Sequence, residues 1–78
     1  MLISLAQMKP KQTGIVVMIK GGCGLANRLE SMGIRVSKKI KKVSSSFWHG
    51  PQTVEVNNMK IAVGFGMAGK ILVEVEEM

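Results

Sequence analysis

Hydrophobic and polar residues alternate with a period of two along several segments, which is typical of strands with one buried face. The β-branched run GIVVMIK, from Gly14 to Lys20, is bounded by glycines and predicts a strand. In the run IRVSKKI, Ile34, Val36 and Ile40 lie on one side and polar residues on the other. This pattern predicts a second strand with one exposed face.

The C-terminal part of the chain predicts three further strands. Residues 52–63, QTVEVNNMKIAV, hold two alternating runs joined at Asn57 and Asn58, whose tolerance of positive φ suits a tight hairpin. The last run, KILVEVE, alternates over residues 70–76. The segments SSSFWHGP and GFGMAGK contain the polar and glycine-rich residues of a loop and a turn, respectively.

Residues 24–33, GLANRLESMG, have the spacing of a helix. Leu25 and Leu29 fall on one face, which predicts that this face packs on the core. Gly33 suits the left-handed conformation that follows a helix, and Ile34 can then contact Leu29, as in a Schellman motif. The helix is therefore predicted to end at a defined residue.

These elements predict an all-β fold with one short helix. About five strands joined by tight connections are most economically arranged as a small barrel, whose closure leaves no exposed strand edge. A chain of 78 residues allows one domain, residues 1–78, and most of its apolar side chains are needed for the core. Little room remains for an enclosed active site.

The chain carries a net charge of +6, so its surface is predicted to attract a negatively charged partner. The segment KKIKK concentrates basic charge on one predicted strand, and its lysines are Lys38, Lys39, Lys41 and Lys42. A nucleic-acid-binding barrel is one alternative, but it requires aromatic residues spaced for base stacking. Phe47 and Trp48 are instead adjacent in the predicted loop, which favours a solvated strand face or an acidic partner.

Two glycine-rich segments look like phosphate-binding loops but lack residues that such loops need. The first begins as G-x-G-x-x-G at Gly22, but Asn27 stands in place of the third glycine. The second, GFGMAGK, matches G-x-x-x-x-G-K, but Ile71 stands where a hydroxyl group would bind Mg²⁺. We therefore predict no catalytic residue and no enzymatic activity.

Cys23 and His49 are the only cysteine and the only histidine, which makes them weak candidates for metal ligands. A metal site would need a glutamate or methionine beside them. A single cysteine cannot form an internal disulfide, and this indicates a reducing compartment such as the cytoplasm. No segment reaches the ~18 apolar residues that a membrane-spanning helix needs.

Four short motifs follow one another along the chain, and they are IVVMIKGG at residues 15–22, RLESMGI at residues 28–34, Gly50-Pro51 leading into VEV, and IAVG at residues 61–64. In this order and spacing, they resemble the ferrous-iron transport protein A (FeoA) family. Together they cover nearly the whole chain. The resemblance implies a small SH3-like β-barrel of about five strands, with a short helix between strands.

The resemblance also implies a small, non-enzymatic accessory or regulatory protein of bacterial ferrous iron uptake. Its implied partner is the cytoplasmic GTPase side of the FeoB membrane transporter. The protein would then lie in the cytoplasm, peripheral to the membrane, as a monomer or weak homo-oligomer. Related SH3-like domains form the C-terminal part of repressors of the diphtheria-toxin-repressor type, so a stand-alone metal-sensing domain is an alternative.

Fe²⁺ or another transition metal is the ligand that this resemblance implies. A membrane-associated partner would contact basic side chains, since lysines near an anionic lipid surface are attracted to it. The candidate partner-binding residues are Arg28, Lys38, Lys39, Lys41, Lys42 and Trp48.

Two positions depart from the family's pattern, which has Pro-Gly after the first segment and again after M-G-I-x. Here Pro10 is followed by Lys11, and Val36 and Ser37 replace the second pair. Proline fixes φ at one turn position and glycine supplies positive φ at the next. Without the second turn, the strand that begins at Ile34 is expected to run straighter.

Overall fold

Strands account for most of the fold, and the computed structural model describes residues 1–45 and 50–76. The strands are β1 (Leu2–Ser4), β2 (Thr13–Ile19), β3 (Lys39–Ser45), β4 (Gln52–Val56), β5 (Met59–Val63) and β6 (Ile71–Val75). The other elements are a 3₁₀ turn (Leu5–Gln7) and the helices α1 (Gly22–Ser31) and α2 (Phe65–Ala68). All strand pairs are antiparallel, in the spatial order β1-β6-β2-β3-β4-β5.

The sheet has the small, SH3-like, barrel-like form that the sequence predicts. The predicted strands include β2, β4, β5 and β6. Strand β1 is missing from the prediction, because three residues are too few to show a period and only the pairing with β6 defines it. The predicted complete closure of the barrel is wrong. Within the described residues, β1 and β5 form the two edges of the sheet and do not pair with each other.

The inner face of the sheet forms the core. Val16 of β2 lies opposite Val73 of β6, and both side chains are buried. Gly14 allows these strands to pair closely, because a Cβ atom there would clash with the side chains of Val73 and Val75. The buried hydrophobic residues are Leu5, Met8, Val16, Leu29, Ile34, Ile40, Val54, Val56, Val63, Ala68, Ile71, Val73 and Val75.

Helix α1 buries Leu29 and half-buries Leu25, as their spacing predicts. Gly33 has a φ of 91° and donates its N–H to the Glu30 carbonyl at 2.9 Å. Ile34 donates its N–H to the Leu29 carbonyl, also at 2.9 Å. These two bonds are those of a Schellman motif and confirm the predicted end of the helix.

The hairpin between β4 and β5 turns at Asn57 and Asn58, as predicted. Their φ values are 53° and 65°, and the flanking Val56 and Met59 lie opposite each other. Two consecutive residues with positive φ are typical of a type I′ turn, whose twist matches that of the strands. Asparagine adopts this conformation more readily than most residues with a side chain.

The strand predicted from Ile34 is wrong in its first half. Strand β3 begins only at Lys39, and a turn precedes it. In this turn Ser37 has a φ of 77°, the left-handed conformation that a glycine would supply. Ser37 donates its N–H to the Val16 carbonyl at 2.7 Å, which holds the turn against β2. The chain therefore turns here without a Pro-Gly pair.

The turn at Lys11 also forms without glycine. Lys11 has a φ of 73°, and Gln12 donates its N–H to the Lys9 carbonyl at 3.0 Å. In the turn before β3, Lys38 donates in the same way to the Arg35 carbonyl at 3.1 Å. A positive φ at the third of four residues is the mark of a type II turn. The chain therefore turns at both positions where the resemblance implies a Pro-Gly pair.

The glycine-rich segment before β6, predicted as a plain turn, contains the short helix α2. Ala68 donates its N–H to the Gly64 carbonyl at 2.8 Å, and Gly69 donates to the Phe65 carbonyl at 3.1 Å. The helical turn satisfies backbone groups that would otherwise need other partners, and it buries Ala68. Strand β6 then begins at Ile71, as its alternation predicts.

The positive φ values at Lys11 and Ser37 predict that glycine is more favourable at both positions. Left-handed backbone costs a non-glycine residue roughly 1–2 kcal/mol, whereas glycine costs roughly 0.4–1 kcal/mol through the entropy of the unfolded chain. We expect Lys11→Gly and Ser37→Gly each to raise the free energy of unfolding in urea by about 0.5–1 kcal/mol.

The control for these variants is Lys41→Gly, at an exposed position in β3. Glycine in an extended strand should lower the free energy of unfolding by about 0.5–1 kcal/mol. A loss of stability at Ser37 equal to the loss at Lys41 would contradict the strain assigned to the turn.

Candidate interaction surface

Strand β3 directs its lysines alternately to the two faces of the sheet. Lys39 and Lys41 are exposed, and Ile40 between them is buried. Lys39 lies opposite Ile15 of β2, and Lys41 lies opposite Thr13. Because residues that pair across strands share a face, Lys39 and Lys41 point outward from the sheet.

A groove of about 580 Å³ runs beside these lysines and is called the basic groove here. Its charged side chains are Lys38, Lys39, Lys41 and Glu55. Its other polar residues come from β2 and from two turns, and they are Thr13, Ser37, Asn57 and Asn58. Because lysines outnumber the single glutamate, the surface potential of the basic groove is positive.

The lysines of the basic groove have no carboxylate partner within the described residues. Lys41 lies opposite Glu55 in the register of β3 and β4, but no ion pair joins them. Among residues 1–45 and 50–76, the one ion pair joins the Met1 ammonium to Glu74 Oε1 at 3.0 Å. Exposed and unpaired ammonium groups attract negative charge on another molecule, so the basic groove suits an anionic partner.

Lys42, the fourth lysine of the predicted basic strand, lies in the core instead. Its side chain is 0% exposed. Its Nζ donates hydrogen bonds of 3.0 Å each to the Leu5 and Met8 carbonyls, which lie in and just after the 3₁₀ turn. Lys42 is therefore not available to a partner, and this candidate is corrected: its side chain fastens the N-terminal segment to β3.

The period of the strand explains why Lys42 is buried. Ile40 and Lys42 are two residues apart, so they share the inner face of β3. Taking an ammonium group out of water is costly, and burial lowers the pKa of Lys42 below its ordinary value of 10.5. The two carbonyl acceptors offset part of this cost.

The remaining candidates do not line the basic groove or lie outside the described residues. Arg28 is exposed near the end of α1. Cys23 lies in the first turn of that helix, and its side chain is not among the described groups. Trp48 and His49 also lie outside the described residues. Elsewhere in residues 1–45 and 50–76, no three His, Cys, Asp or Glu residues converge as metal ligands.

The sequence predictions do not include the polar residues that border the basic groove. The Asn57-Asn58 turn is recognisable from the sequence, but its place beside the lysines depends on the pairing of β3 with β4. Ser37 has no local sequence signal, because serine rarely adopts positive φ. Because Pro-Gly is absent there, the sequence does not predict the turn.

The curled antiparallel sheet, with a helix between β2 and β3, defines a small SH3-like domain that carries an open basic groove. The chain belongs to the FeoA domain family, whose model matches residues 3–75. This match runs from β1 to the end of β6. In the part of the chain that the structure describes, no helix is long and apolar enough to cross a membrane.

The chain is similar to one named protein and to two solved structures. The chain is 40% identical over 73 residues to "Putative Fe(2+) transport protein A" of Methanocaldococcus jannaschii, which covers 94% of this chain and 87% of that protein. The crystal structure of an iron uptake regulatory protein, FeoA, is 34% identical with a TM-score of 0.89, covering 97% of this chain and 99% of that one. ScaR with bound Zn²⁺ is 25% identical with a TM-score of 0.83, covering 92% of this chain and 36% of that one.

The burial of Lys42 predicts a large loss of stability when the side chain is removed. We expect Lys42→Ala to lower the free energy of unfolding by about 2–4 kcal/mol, because it opens a cavity and removes the donor to two carbonyls. The matched change Lys41→Ala, at the adjacent exposed lysine, should alter it by less than about 0.5 kcal/mol. Urea unfolding followed by circular dichroism measures both, and equal effects would contradict the different placement of the two lysines.

The lowered pKa of Lys42 also predicts how stability depends on pH. Between the folded-state pKa and the ordinary value of 10.5, the unfolded chain holds a proton that the folded chain has lost. Stability should therefore rise with pH in this window, relative to a Lys42→Met variant that does not titrate there. Thermal unfolding of both proteins, from neutral pH toward 10.5, measures the difference. A constant difference would contradict the shift.

Proposed function

We propose that this protein is a non-enzymatic accessory protein of ferrous iron uptake, which binds the cytoplasmic GTPase side of a FeoB-type iron transporter. Family membership carries this proposal, because the FeoA domain match spans residues 3–75. The relative from Methanocaldococcus jannaschii is named for Fe(2+) transport, and the protein of the FeoA crystal structure is described as an iron uptake regulatory protein. These names support the process, and the surface of this chain supports a binding role in it.

The chemistry of the basic groove suits binding rather than catalysis. Its lining groups are ammonium, hydroxyl and amide groups, with Glu55 as the one carboxylate among the described lining residues. General acid and base catalysis requires positioned groups that exchange protons near neutral pH. Lysine side chains at a surface make electrostatic contacts with acidic groups instead.

Electrostatic attraction accounts for how such a domain would find its partner. A net charge of +6 and the unpaired Lys38, Lys39 and Lys41 attract an acidic surface over distances of about 10 Å at moderate salt. Charge complementarity of this kind raises the association rate and selects the orientation of binding. Because these lysines border an open groove, salt should screen the interaction.

The proposal predicts that charge in the basic groove controls the affinity for the transporter. We expect the triple variant Lys38→Gln/Lys39→Gln/Lys41→Gln to bind the purified cytoplasmic domain of the FeoB-type transporter about tenfold more weakly, since each exposed ion pair contributes about 0.2–1 kcal/mol. Fluorescence anisotropy at low and high salt measures this loss, and wild-type affinity should fall as salt is added.

A matched control removes the same charge elsewhere. Lys9, Lys11 and Lys60 are exposed and do not line the basic groove, so their triple change to glutamine should weaken binding much less. Equal losses in the two triple variants would show that only net charge matters. No binding by the wild-type protein would overturn the proposed partner itself.

A further inference from the structure

The outer face of the sheet exposes apolar side chains beyond the basic groove. On β2, Ile15 is 48% exposed, Val17 41% and Met18 50%. On β1, Leu2 is 53% exposed. The register between β2 and β6 shifts between Val16 and Met18, and such a bulge adds an unpaired residue to the strand. Single exposed apolar residues are common, but a group of them on one face marks an interaction site.

Strand register places these side chains on one surface. Met18 lies opposite Leu72 of β6. Ile15 lies opposite Glu74, which in turn lies opposite Leu2 of β1. Paired residues share a face, so Ile15, Met18 and Leu72 lie on one apolar surface over β2 and β6, and Glu74 separates Ile15 from Leu2. This surface, called the apolar strip, consists of the exposed Ile15, Val17 and Met18 and the half-buried Leu72.

Two lysines lie together at one end of the apolar strip. Lys20 follows β2 and Lys70 precedes β6, and the Lys20 N–H donates to the Lys70 carbonyl at 2.8 Å. Both residues are exposed, and neither forms an ion pair within the described residues. Like charges on adjacent positions of neighbouring strands destabilise a sheet. A negatively charged ligand at this position would relieve that repulsion.

The other end of the apolar strip has side chains of both charges. Lys39 lies opposite Ile15 on the side of β3. Glu74 brings negative charge into the strip, but its Oε1 contacts the Met1 ammonium at 3.0 Å. Glu76, which follows β6, lines the same cavity as Ile15, Lys39 and Glu74. The surface is therefore apolar along β2 and basic at the end that Lys20 and Lys70 form.

We infer that the apolar strip, with Lys20 and Lys70, is a docking site for an anionic lipid surface. The lysine ammonium groups contact lipid phosphates, and the exposed aliphatic and methionine side chains enter the boundary between headgroups and acyl chains. The charge of the lipid neutralises the repulsion between the two lysines. The domain lies on the membrane surface without crossing it.

The composition of this face favours lipid over a protein partner. The centres of protein interfaces are enriched in aromatic residues, methionine and arginine and depleted in lysine. The apolar strip contains no aromatic residue and no arginine, and Lys20 and Lys70 lie at one end of it. Arg28 lies on α1 and Arg35 in the turn before β3, so neither belongs to the strands of the strip. An anionic bilayer offers phosphates to Lys20 and Lys70 and an apolar boundary to the exposed side chains of the strip.

This inference does not rest on the proposed function. Lipid contact uses Lys20 and Lys70, whereas the proposed transporter contact uses the lysines of the basic groove. Binding to vesicles and binding to the transporter's cytoplasmic domain are measured separately, so one can fail while the other succeeds.

Sedimentation of the full chain with lipid vesicles tests the inference. We expect the protein to bind vesicles of phosphatidylcholine mixed with phosphatidylglycerol and to remain in solution with phosphatidylcholine alone. Added salt should weaken binding to the anionic vesicles, because it screens the lysine contacts. Absence of binding to the anionic vesicles at low salt would overturn the inference.

A pair of matched double variants localises the contact. Met18→Gln/Lys20→Gln removes one exposed methionine and one exposed lysine from the proposed site. Met59→Gln/Lys60→Gln removes the same groups from β5, at the far edge of the sheet. We expect the first variant to bind anionic vesicles about tenfold more weakly, of which about fivefold comes from the lysine. The second should change binding by about twofold or less.

The variants also separate lipid from protein as the occupant. Equal losses in both double variants would show attraction by net charge without a defined face, and would overturn the inference. Unchanged vesicle binding by Met18→Gln/Lys20→Gln, together with weaker binding to the transporter's cytoplasmic domain, would assign the face to protein instead. Thermal unfolding of each variant confirms that it is folded.

Discussion

The hydrogen bonds from the buried Lys42 ammonium to the Leu5 and Met8 carbonyls join parts of the sheet that a flat arrangement would keep apart. Strand β1 and the 3₁₀ turn belong to one end of the sheet, and two strands separate β1 from β3 in the order β1-β6-β2-β3. The contact therefore requires the sheet to curl. Without these acceptors, an ammonium group in the core would lose its hydration with no compensation. The curl in turn encloses the apolar inner face and leaves the outer face of β2 and β3 open.

Two turns, each with one residue of positive φ, hold β3 beside β2 in this curled arrangement. Lys11 donates its N–H to the Lys42 carbonyl at 2.8 Å, and Lys42 donates its own N–H to the Gln12 carbonyl at 2.8 Å. At the other end, Ser37 bonds to Val16 and brings the chain back toward β2. Both turns accept the strain of positive φ without glycine, because the hydrogen bonds on either side hold them in place. As a result, Lys39 and Lys41 of β3 lie on the outer face, beside the hairpin of β4 and β5.

The basic groove and the apolar strip meet at Lys39, which lines the groove and lies opposite Ile15 of the strip. A partner embedded in a membrane presents both kinds of surface at once, namely protein and anionic lipid. The two surfaces have different chemistry, since one is polar and basic and the other is apolar with two lysines at one end. The chain has 11 basic and 5 acidic residues, and this excess of positive charge attracts an acidic protein surface and an anionic membrane at long range.

Local interactions alone determined much of this protein. The alternation of β2 and β6 and the Schellman end of α1 involve residues close in sequence, and the Asn57-Asn58 turn needs only the φ preference of asparagine. The order of motifs likewise identified the family. Tertiary structure alone decided the pairing of the short β1, the left-handed turn at Ser37 and the burial of Lys42. The reason is physical: the acceptors of Lys42 lie 37 and 34 residues away in the chain, and no local pattern records such a contact.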